Sequence, residues 1–274
     1  MRLEGKVALV TGATYGIGTT IVERLAQEGA SVVFTGRSAD KGQAVQTDLR
    51  SRRLAVSYCR GDSAVEHDVR QAVDAAISSY GAITTVVNNA AATDVTRPGG
   101  GDSHVAEITN EAFDAVWHVG VHGVLWTSKY SIPHMREAGG GSIINISAAS
   151  SIRAIEGRPA YQASKGAINA LTRQMAVDYG PHGIRCNAII VGFTPTGGEV
   201  ITKMVQNESF IAAVMRAIPS PRLGSPLDIA NGCVYLASDE AEYVNGVLLP
   251  IDGGFTAKLA IPDTSALSAI GEDG

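Results

Sequence analysis

The chain has 274 residues, of which 45% are hydrophobic and 18% are charged, and its formal net charge is -5. This apolar content excludes an intrinsically disordered chain, and the acidic balance argues against a nucleic-acid-binding protein, which carries clustered Lys and Arg. No apolar run approaches the ~20 residues of a membrane span, no signal peptide precedes the first strand, and the three cysteines form no pair typical of disulfides or metal sites. We therefore expect a soluble, cytoplasmic protein without a bound metal.

Short strand-like runs alternate with longer helical patterns along most of the chain. In chain order the predicted elements are strand Lys6–Val10, helix Ile17–Glu28, strand Ala30–Phe34, helix Asp40–Arg50, strand Leu54–Cys59, helix Glu66–Ser79, strand Val86–Val87, helix Asn110–Glu137, strand Gly141–Ile146, helix Pro159–Tyr179, strand Arg185–Ile190 and strand Val247–Ile251. This alternation predicts an α/β fold, a single-domain Rossmann-type doubly wound parallel sheet with helices on both faces, over residues 1–256.

Three segments depart from this alternation. Thr93–His104 contains Pro98 followed by three glycines and is predicted to be a surface loop. Thr194–Pro226 carries a short amphipathic helix between stretches rich in Pro and Gly, which is typical of a flap over a site. The tail from Ala257 to Gly274 has no strong periodicity, and two interpretations stay open for it: disorder, or docking on a neighbouring subunit.

A glycine-rich turn, Thr11–Gly18, lies between the first strand and the first helix. Glycines at such a turn allow the backbone to approach a pyrophosphate closely, and the following helix N-terminus offers free N–H groups. The plainer interpretation is a tight turn without a ligand, but its place after the first strand favours a dinucleotide site. The candidate binding residues are Gly12, Thr14, Tyr15, Gly16, Ile17 and Gly18.

The end of the second strand reads Thr35-Gly36-Arg37-Ser38. An acidic residue there would bind the ribose hydroxyls of NAD, whereas an arginine binds the 2′-phosphate of NADP. Since Gly36 has no carboxylate, we favour NADP(H) over NAD(H), with Arg37 and Ser38 as candidate contacts. An exposed arginine without a ligand is the alternative.

Tyr161 and Lys165 lie four residues apart in a predicted helix and therefore on one face. A cation beside a phenol lowers its pKa from about 10. A tyrosine placed in this way exchanges a proton with a substrate oxygen near neutral pH. Taken alone, such a pair is more often part of a solvated helix surface.

The chain resembles the short-chain dehydrogenase/reductase family over about residues 4–255. The motifs that carry the resemblance are TGATYGIG (11–18), Asp62 after the third strand, NNAA (88–91), INIS (144–147), YQASK (161–165), IRCNAI (184–189), RLGSPLDIA (222–230) and IDGG (251–254). Their order and spacing make the match far more specific than any one motif.

The resemblance implies a nicotinamide cofactor, hydride transfer between a ketone and a secondary alcohol, and a homotetramer formed through helices 110–137 and 159–179. It implies that Tyr161 is the proton donor and acceptor, and that Lys165 binds the nicotinamide ribose and lowers the pKa of Tyr161. The further cofactor contacts that it implies are Asp62, Ser63, Asn89, Ala90, Ala91, Gly192, Thr194 and Thr196.

Four positions depart from the family pattern. The substrate-orienting serine of the family falls on Ala148, and the asparagine of its central helix falls on Gly120. Ala91 replaces a glycine, and Val191 replaces a proline. Ser147 is expected to face away from the substrate if the strand continues, because neighbouring side chains alternate. Ser150 or Ser151 could take the role only if the loop bends back, so that Ser147, Ala148 and Ser150 remain candidate substrate contacts.

These departures leave two hypotheses for function. The first is an NADP(H)-dependent oxidoreductase with a small carbonyl or alcohol substrate. The second is a non-redox lyase or isomerase that uses Tyr161 to move protons, or a dinucleotide-binding regulator. His118 and His122 have a spacing that could hold a metal, but without a third ligand we interpret them as packing or interface residues.

Overall fold

The computed structural model describes residues 1–259, and within them seven parallel strands form one sheet in the order β3-β2-β1-β4-β5-β6-β7. The strands are β1 Val7–Val10, β2 Ser31–Gly36, β3 Val56–Arg60, β4 Thr85–Asn88, β5 Gly141–Ala148, β6 Ile184–Val191 and β7 Leu248–Ile251. The prediction of a doubly wound parallel sheet is confirmed.

Ten α-helical segments connect these strands within residues 1–259. They are α1 Gly16–Gln27, α2 Ala39–Ser51, α3 Glu66–Tyr80, α4 Thr93–Thr96, α5 Asn110–Trp117, α6 Gly123–Glu137, α7 Pro159–Tyr179, α8 Glu199–Gln206, α9 Glu208–Ala217 and α10 Pro226–Ala237. A π-helical turn, His118–His122, joins α5 to α6.

The order of the strands creates a cleft at the carboxyl edge of the sheet. The chain begins at β1, adds β2 and β3 on one side, and then crosses to β4 on the other side of β1. Loops after β1 and β4 therefore leave the sheet in opposite directions, and ligands of such sheets bind in the crevice between them.

Alternating side chains of the strands form a separate core on each face of the sheet. Val10 and Phe34 pack with the apolar faces of α1, α2 and α10, whereas Leu9 and Val33 pack with those of α3, α6 and α7. Because both faces are covered, the central strands are buried along most of their length, and all four residues of β1 are buried.

The structure corrects several predicted elements. The predicted loop Thr93–His104 begins with helix α4, and the flap Thr194–Pro226 holds two helices, α8 and α9, rather than one. The predicted helix Asn110–Glu137 is interrupted by the π-helical turn, and α10 was not predicted. Of the predicted tail, residues 260–274 lie outside the described part.

Residues 1–259 offer neither a membrane-spanning helix nor a cluster of metal-ligating side chains. No helix in this range has the length and apolar character needed to cross a bilayer. The same range contains no cluster of three His, Cys, Asp or Glu side chains arranged as metal ligands.

Candidate active site

The glycine-rich turn brings the end of β1 against the loop that follows β4. Gly12 and Gly16 have φ angles of 64° and 62°, in the left-handed region that favours glycine. A Cβ atom on Gly12 would lie 2.6 Å from the Cα atom of Ala90, and one on Gly18 would lie 2.6 Å from Nδ2 of Asn89. Side chains at these two positions would push the two loops apart, so that the turn depends on its glycines.

The N-terminus of α1 has the character of an anion site. Its N-cap residue, Tyr15, is extended, no side chain of residues 1–259 caps the helix, and no acidic residue stands in its first turn. The first N–H groups of the helix and the positive end of its dipole are therefore available to a negative ligand. This arrangement fits a pyrophosphate. The side chain of Ile17 packs against the core and leaves the turn to the backbone.

The motif NNAA is tied directly to the glycine-rich turn. The Asn89 side chain donates hydrogen bonds to the carbonyl oxygens of Thr11 and Gly12, at 3.1 and 2.8 Å, and the backbone N–H groups of Asn89 and Ala90 donate to Oγ1 of Thr11. Ala91 follows, half-buried, at the start of the segment that leads to α4. These bonds fix the two walls of the crevice relative to each other.

The segment after β6 reaches the same turn from the opposite side. A Cβ atom on Gly16 would lie 3.1 Å from Cβ of Thr196, and one on Gly224 would lie 2.7 Å from Oγ1 of Thr194. Gly192 packs against the loop after β7, where an added Cβ would lie 2.6 Å from Cα of Asp252. Of the three predicted contacts, Thr196 therefore lies against the glycine-rich turn, whereas Gly192 and Thr194 precede it in the same segment and pack against Asp252 and Gly224.

The turn after β3 forms the outer end of the crevice. Asp62 is held by its neighbours, since its N–H donates to Asp68 at 3.0 Å and its Oδ1 accepts from the N–H of Ala64 at 2.9 Å. Ser63 is buried, and a Cβ atom on Gly123 of α6 would lie 2.9 Å from its carbonyl oxygen. Asp62 and Ser63 are thus fixed in position, and Oδ2 of Asp62 takes no part in the hydrogen bonds of this turn.

The end of β2 has no space for an acidic side chain. A Cβ atom on Gly36 would collide with the side chain of Thr14. Arg37 follows with an exposed guanidinium, which pairs with Asp94 at 2.5 Å, and Ser38 begins α2 without capping it through its side chain. The packing of Thr14 therefore explains the glycine at position 36. Arg37 provides a positive charge at the end of β2.

Tyr161 and Lys165 meet as predicted, on the first turns of α7. Lys165 is 4% exposed, its Nζ donates to the carbonyl oxygen of Ile146 at 2.7 Å, and it lies 5.7 Å from the centroid of the Tyr161 ring. The ammonium thus sits beside the phenol at the carboxyl end of β5. Such a pair can hold and transfer a proton.

The effect of this pair on the pKa of Tyr161 is opposite to the expected one. Burial raises the pKa of the phenol, and the guanidinium of Arg158 opposes that shift. Burial also lowers the pKa of Lys165 to about 8. Desolvation disfavours the charged form of both groups, which explains why the expected lowering by Lys165 is wrong for the protein without cofactor.

The serines before Tyr161 are turned inward. The hydroxyl of Ser147, which is 1% exposed, lies 3.3 Å from that of Ser151 and 3.4 Å from the carbonyl oxygen of Lys165. Ser150 is also buried, and its hydroxyl has no hydrogen-bond partner in residues 1–259. Ala148, 8% exposed, offers no donor. None of these three candidates therefore presents a free hydroxyl to solvent at this edge.

Gly120 explains how the central helix passes the site. It lies in the π-helical turn, where a Cβ atom would be 3.3 Å from Cβ and Oγ of Ser164 on α7. His118 and His122 meet edge to face in the same turn, with ring centroids 4.9 Å apart, and His122 stacks on Trp126. The glycine thus permits close packing of the two helices near Tyr161.

Two contacts at the site were not predicted. The Asp102 carboxylate accepts hydrogen bonds from the backbone N–H groups of Ala160 and Tyr161, both at 3.1 Å, and so caps the helix that carries the phenol. Arg158 donates to the carbonyl oxygen of Thr96. Neither residue belongs to a periodic pattern, so that only the arrangement in space reveals them.

Comparisons with known proteins agree with this arrangement. A family model described as Enoyl-(Acyl carrier protein) reductase matches residues 12–256. The 7alpha-hydroxysteroid dehydrogenase of Clostridium sardiniense is 35% identical over 254 residues, which are 93% of this chain and 94% of that protein. The NADP-dependent (R)-specific alcohol dehydrogenase of Lentilactobacillus kefiri is 34% identical over 263 residues, or 94% of this chain and 99% of that protein.

A solved structure extends the likeness to three dimensions. The gluconate 5-dehydrogenase of Burkholderia cenocepacia J2315, in complex with NADP and tartrate, is 30% identical and superposes with a TM-score of 0.85 over 94% of this chain and 98% of that one. The sequence match and the superposition both extend over nearly the whole length of the chain. The chain belongs to the short-chain dehydrogenase/reductase family of oxidoreductases.

Proposed function

We propose that the protein is an NADP(H)-dependent dehydrogenase/reductase that interconverts a ketone and a secondary alcohol. The observation that carries this proposal is the Lys165 ammonium 5.7 Å from the Tyr161 ring, on a helix that flanks the dinucleotide crevice. The three relatives described above are named for a hydroxysteroid, an alcohol and gluconate, and each is a dehydrogenase. These names favour oxidation and reduction over the lyase, isomerase or regulator alternative.

The residues of the crevice fit a dinucleotide. The N-terminus of α1 and the turn residues Gly12, Thr14, Tyr15, Gly16 and Gly18 would hold the pyrophosphate, Asp62 and Ser63 the adenine, and Asn89 to Ala91 the adenosine ribose. Gly192, Thr194 and Thr196 would line the nicotinamide end. When bound there, the cofactor supplies the hydride for reduction or accepts it in oxidation.

Tyr161 would hold the proton that the substrate oxygen gains or loses. Because burial raises the pKa of its phenol, Tyr161 is protonated at neutral pH and is prepared to act as the general acid of ketone reduction. Lys165 would exchange one partner for another when the cofactor binds. Its Nζ donates to the carbonyl oxygen of Ile146 and lies near the face of the Tyr161 ring, and it would turn to the nicotinamide ribose. A substrate oxygen would rely on Tyr161, without the serine hydroxyl that the family usually adds.

NADP(H) is preferred in this proposal because of the end of β2. Thr14 fills the space beside Gly36, so that no carboxylate can stand there, and Arg37 supplies a cation for a 2′-phosphate. One relative is named as NADP-dependent, and the superposed gluconate 5-dehydrogenase holds NADP. We expect Arg37→Ala to weaken the binding of NADPH much more than that of NADH.

The test combines each reduced cofactor with a panel of ketones that includes acetophenone, a 3-ketosteroid and 5-ketogluconate. Oxidation of NADPH is followed at 340 nm, with NADH in parallel. The proposal predicts turnover of at least one ketone and a higher kcat/KM with NADPH. Tight cofactor binding without turnover of any ketone would favour the non-redox alternative.

The proposal extends to assembly and location. Leu125 on α6 and Val177 on α7 are large aliphatic side chains that are 45% and 74% exposed, so that both helices offer apolar side chains to a partner. These helices would pair between subunits of a homotetramer. We also propose a cytoplasmic location.

A further inference from the structure

The guanidinium of Arg37, which is proposed to receive the 2′-phosphate, already has an anionic partner. Its Nη2 lies 2.5 Å from Oδ2 of Asp94. Arg37 directly follows β2, whereas Asp94 stands on α4, beyond β4 and on the other side of β1. The pair therefore joins the two sides of the crevice at its adenosine end.

A second contact, next to this ion pair, joins the same two sides of the crevice. The Tyr15 hydroxyl donates to Oγ1 of Thr93 at 3.2 Å. Two consecutive residues of α4 thus contact the two elements that would flank the adenosine ribose, the glycine-rich turn and the end of β2. This places the Asp94 carboxylate at the position where a 2′-phosphate would approach Arg37, and not on a distant surface.

The chemistry of the two nucleotides differs at this position. A 2′-phosphate would have to displace the Asp94 carboxylate from Arg37 and would then lie close to that negative charge. A 2′-hydroxyl carries no charge and has no need of the guanidinium. We infer that Asp94 is a specificity-determining residue, which holds Arg37 and reduces the preference of the site for a 2′-phosphate over a 2′-hydroxyl.

The expected effect is modest because both side chains are accessible to water. Their exposed fractions are 59% for Arg37 and 67% for Asp94. Ion pairs of this kind are weak and are screened by salt. We expect Asp94→Asn to raise the affinity for a 2′-phosphorylated nucleotide by roughly fivefold at low ionic strength, and by less at high salt.

The inference rests on the proposed NADP(H) site, and the experiment separates the two. Binding of 2′,5′-ADP and of 5′-AMP to the full chain is measured by calorimetry at low and high salt. The proteins are wild type, Asp94→Asn, Arg37→Ala and the double variant. Asp74→Asn is the matched control, because Asp74 is exposed on α3 and its substitution changes the net charge by the same amount as Asp94→Asn.

The inference predicts that Asp94→Asn tightens 2′,5′-ADP and leaves 5′-AMP unchanged, that Asp74→Asn changes neither, and that the gain vanishes in the Arg37→Ala background. Equal tightening of both nucleotides, a gain that persists without Arg37, or no gain at all would each overturn it. If Arg37→Ala alone leaves 2′,5′-ADP binding unchanged, or if wild type binds neither nucleotide, the NADP(H) proposal itself fails and the inference fails with it.

Discussion

Ala148 is the residue at which the site departs most clearly from its family. Its methyl group stands thirteen residues before Tyr161 and is close to fully buried, and the hydroxyls of Ser147 and Ser150 are turned inward. One hydrogen-bond donor at a developing charge is typically worth about 10²–10³ in rate. We expect Ala148→Ser to raise kcat for ketone reduction by ~10-fold, measured at 340 nm. Ala154→Ser, exposed in the same loop, is the control, and a gain no larger than that of the control would contradict the prediction.

Lys165 combines catalytic use with a loss of stability. The native pKa of its ammonium is about 8, below the value of 10.5 that an unhindered lysine has. Between these values the unfolded chain binds a proton that the native protein does not, so that stability rises with pH across this window. Below pH 8 the native protein carries the whole penalty of the buried charge.

We therefore expect Lys165→Met to abolish activity and to increase the free energy of unfolding by ~3 kcal/mol at pH 7, and by much less near pH 10.5. Urea denaturation at pH 7 and at pH 10.5 measures the two free energies of unfolding. Lys129→Met, at an exposed lysine of α6, is the control and should change little at either pH. The same gain at pH 7 and pH 10.5 would show that the buried charge is not the cause.

Among the elements, α7 depends on a cap that comes from another part of the chain. Arg158 at its N-cap provides no side-chain cap, and the Asp102 carboxylate accepts from the N–H groups of Ala160 and Tyr161 instead. Loss of a helix cap typically costs about 1 kcal/mol. We expect Asp102→Ala to lower stability by this amount and to lower kcat more than the stability loss explains, because the cap also fixes the backbone of Tyr161.

The matched control is Ser225→Ala, which removes the cap of α10, a helix that carries no site residue. Both variants should lose similar stability in urea, but only Asp102→Ala should lower kcat and speed the exchange of amide hydrogens in residues 160–163. Asp102→Asn, which keeps an accepting oxygen, should recover most of the rate. Equal rates for the Asp102→Ala and Ser225→Ala proteins would contradict this role.

The elements also show which structural features are visible in the sequence. The strands, α1, α2, α3 and α7 follow from apolar runs and helical spacing, and the meeting of Tyr161 with Lys165 follows from a separation of four residues. The split between α8 and α9 has a local signal in the sequence, because Asn207 caps α9 by accepting from the N–H of Phe210. Helix α10 is apolar on most of its surface, which weakens the periodic signal of a half-exposed helix.

The remaining features of the site depend on contacts between distant parts of the chain. Asp94 and Asp102 lie in the segment 93–104, whose sequence has no period, and each acts on a residue more than fifty positions away. The direction of the Tyr161 pKa shift depends on how completely the phenol is buried, which spacing alone does not report. Such properties follow from the packed structure and not from local patterns.

At the scale of the whole molecule, the exposed aliphatic side chains of α6 and α7 predict self-association. A charge placed at the centre of an apolar interface is left without water or a partner, which strongly disfavours assembly. If the proposed tetramer forms through these helices, we expect Val177→Asp to convert it to smaller species, measured by light scattering after gel filtration. Tyr243→Asp, at a fully exposed position outside these helices, should leave the mass unchanged. A monomeric wild-type protein, or an unchanged mass for Val177→Asp, would contradict the assembly.

The central claim is that the Tyr161 phenol exchanges a proton with a substrate held beside a bound dinucleotide. The most direct measurement compares wild type and Tyr161→Phe in two respects, the affinity for NADPH and the rate of NADPH oxidation with the best ketone of the panel. Since proton transfer by a positioned side chain contributes about 10²–10⁴-fold, the account predicts a loss of rate in this range with the affinity for NADPH nearly unchanged. A Tyr161→Phe protein that reduces the ketone as fast as wild type would contradict it.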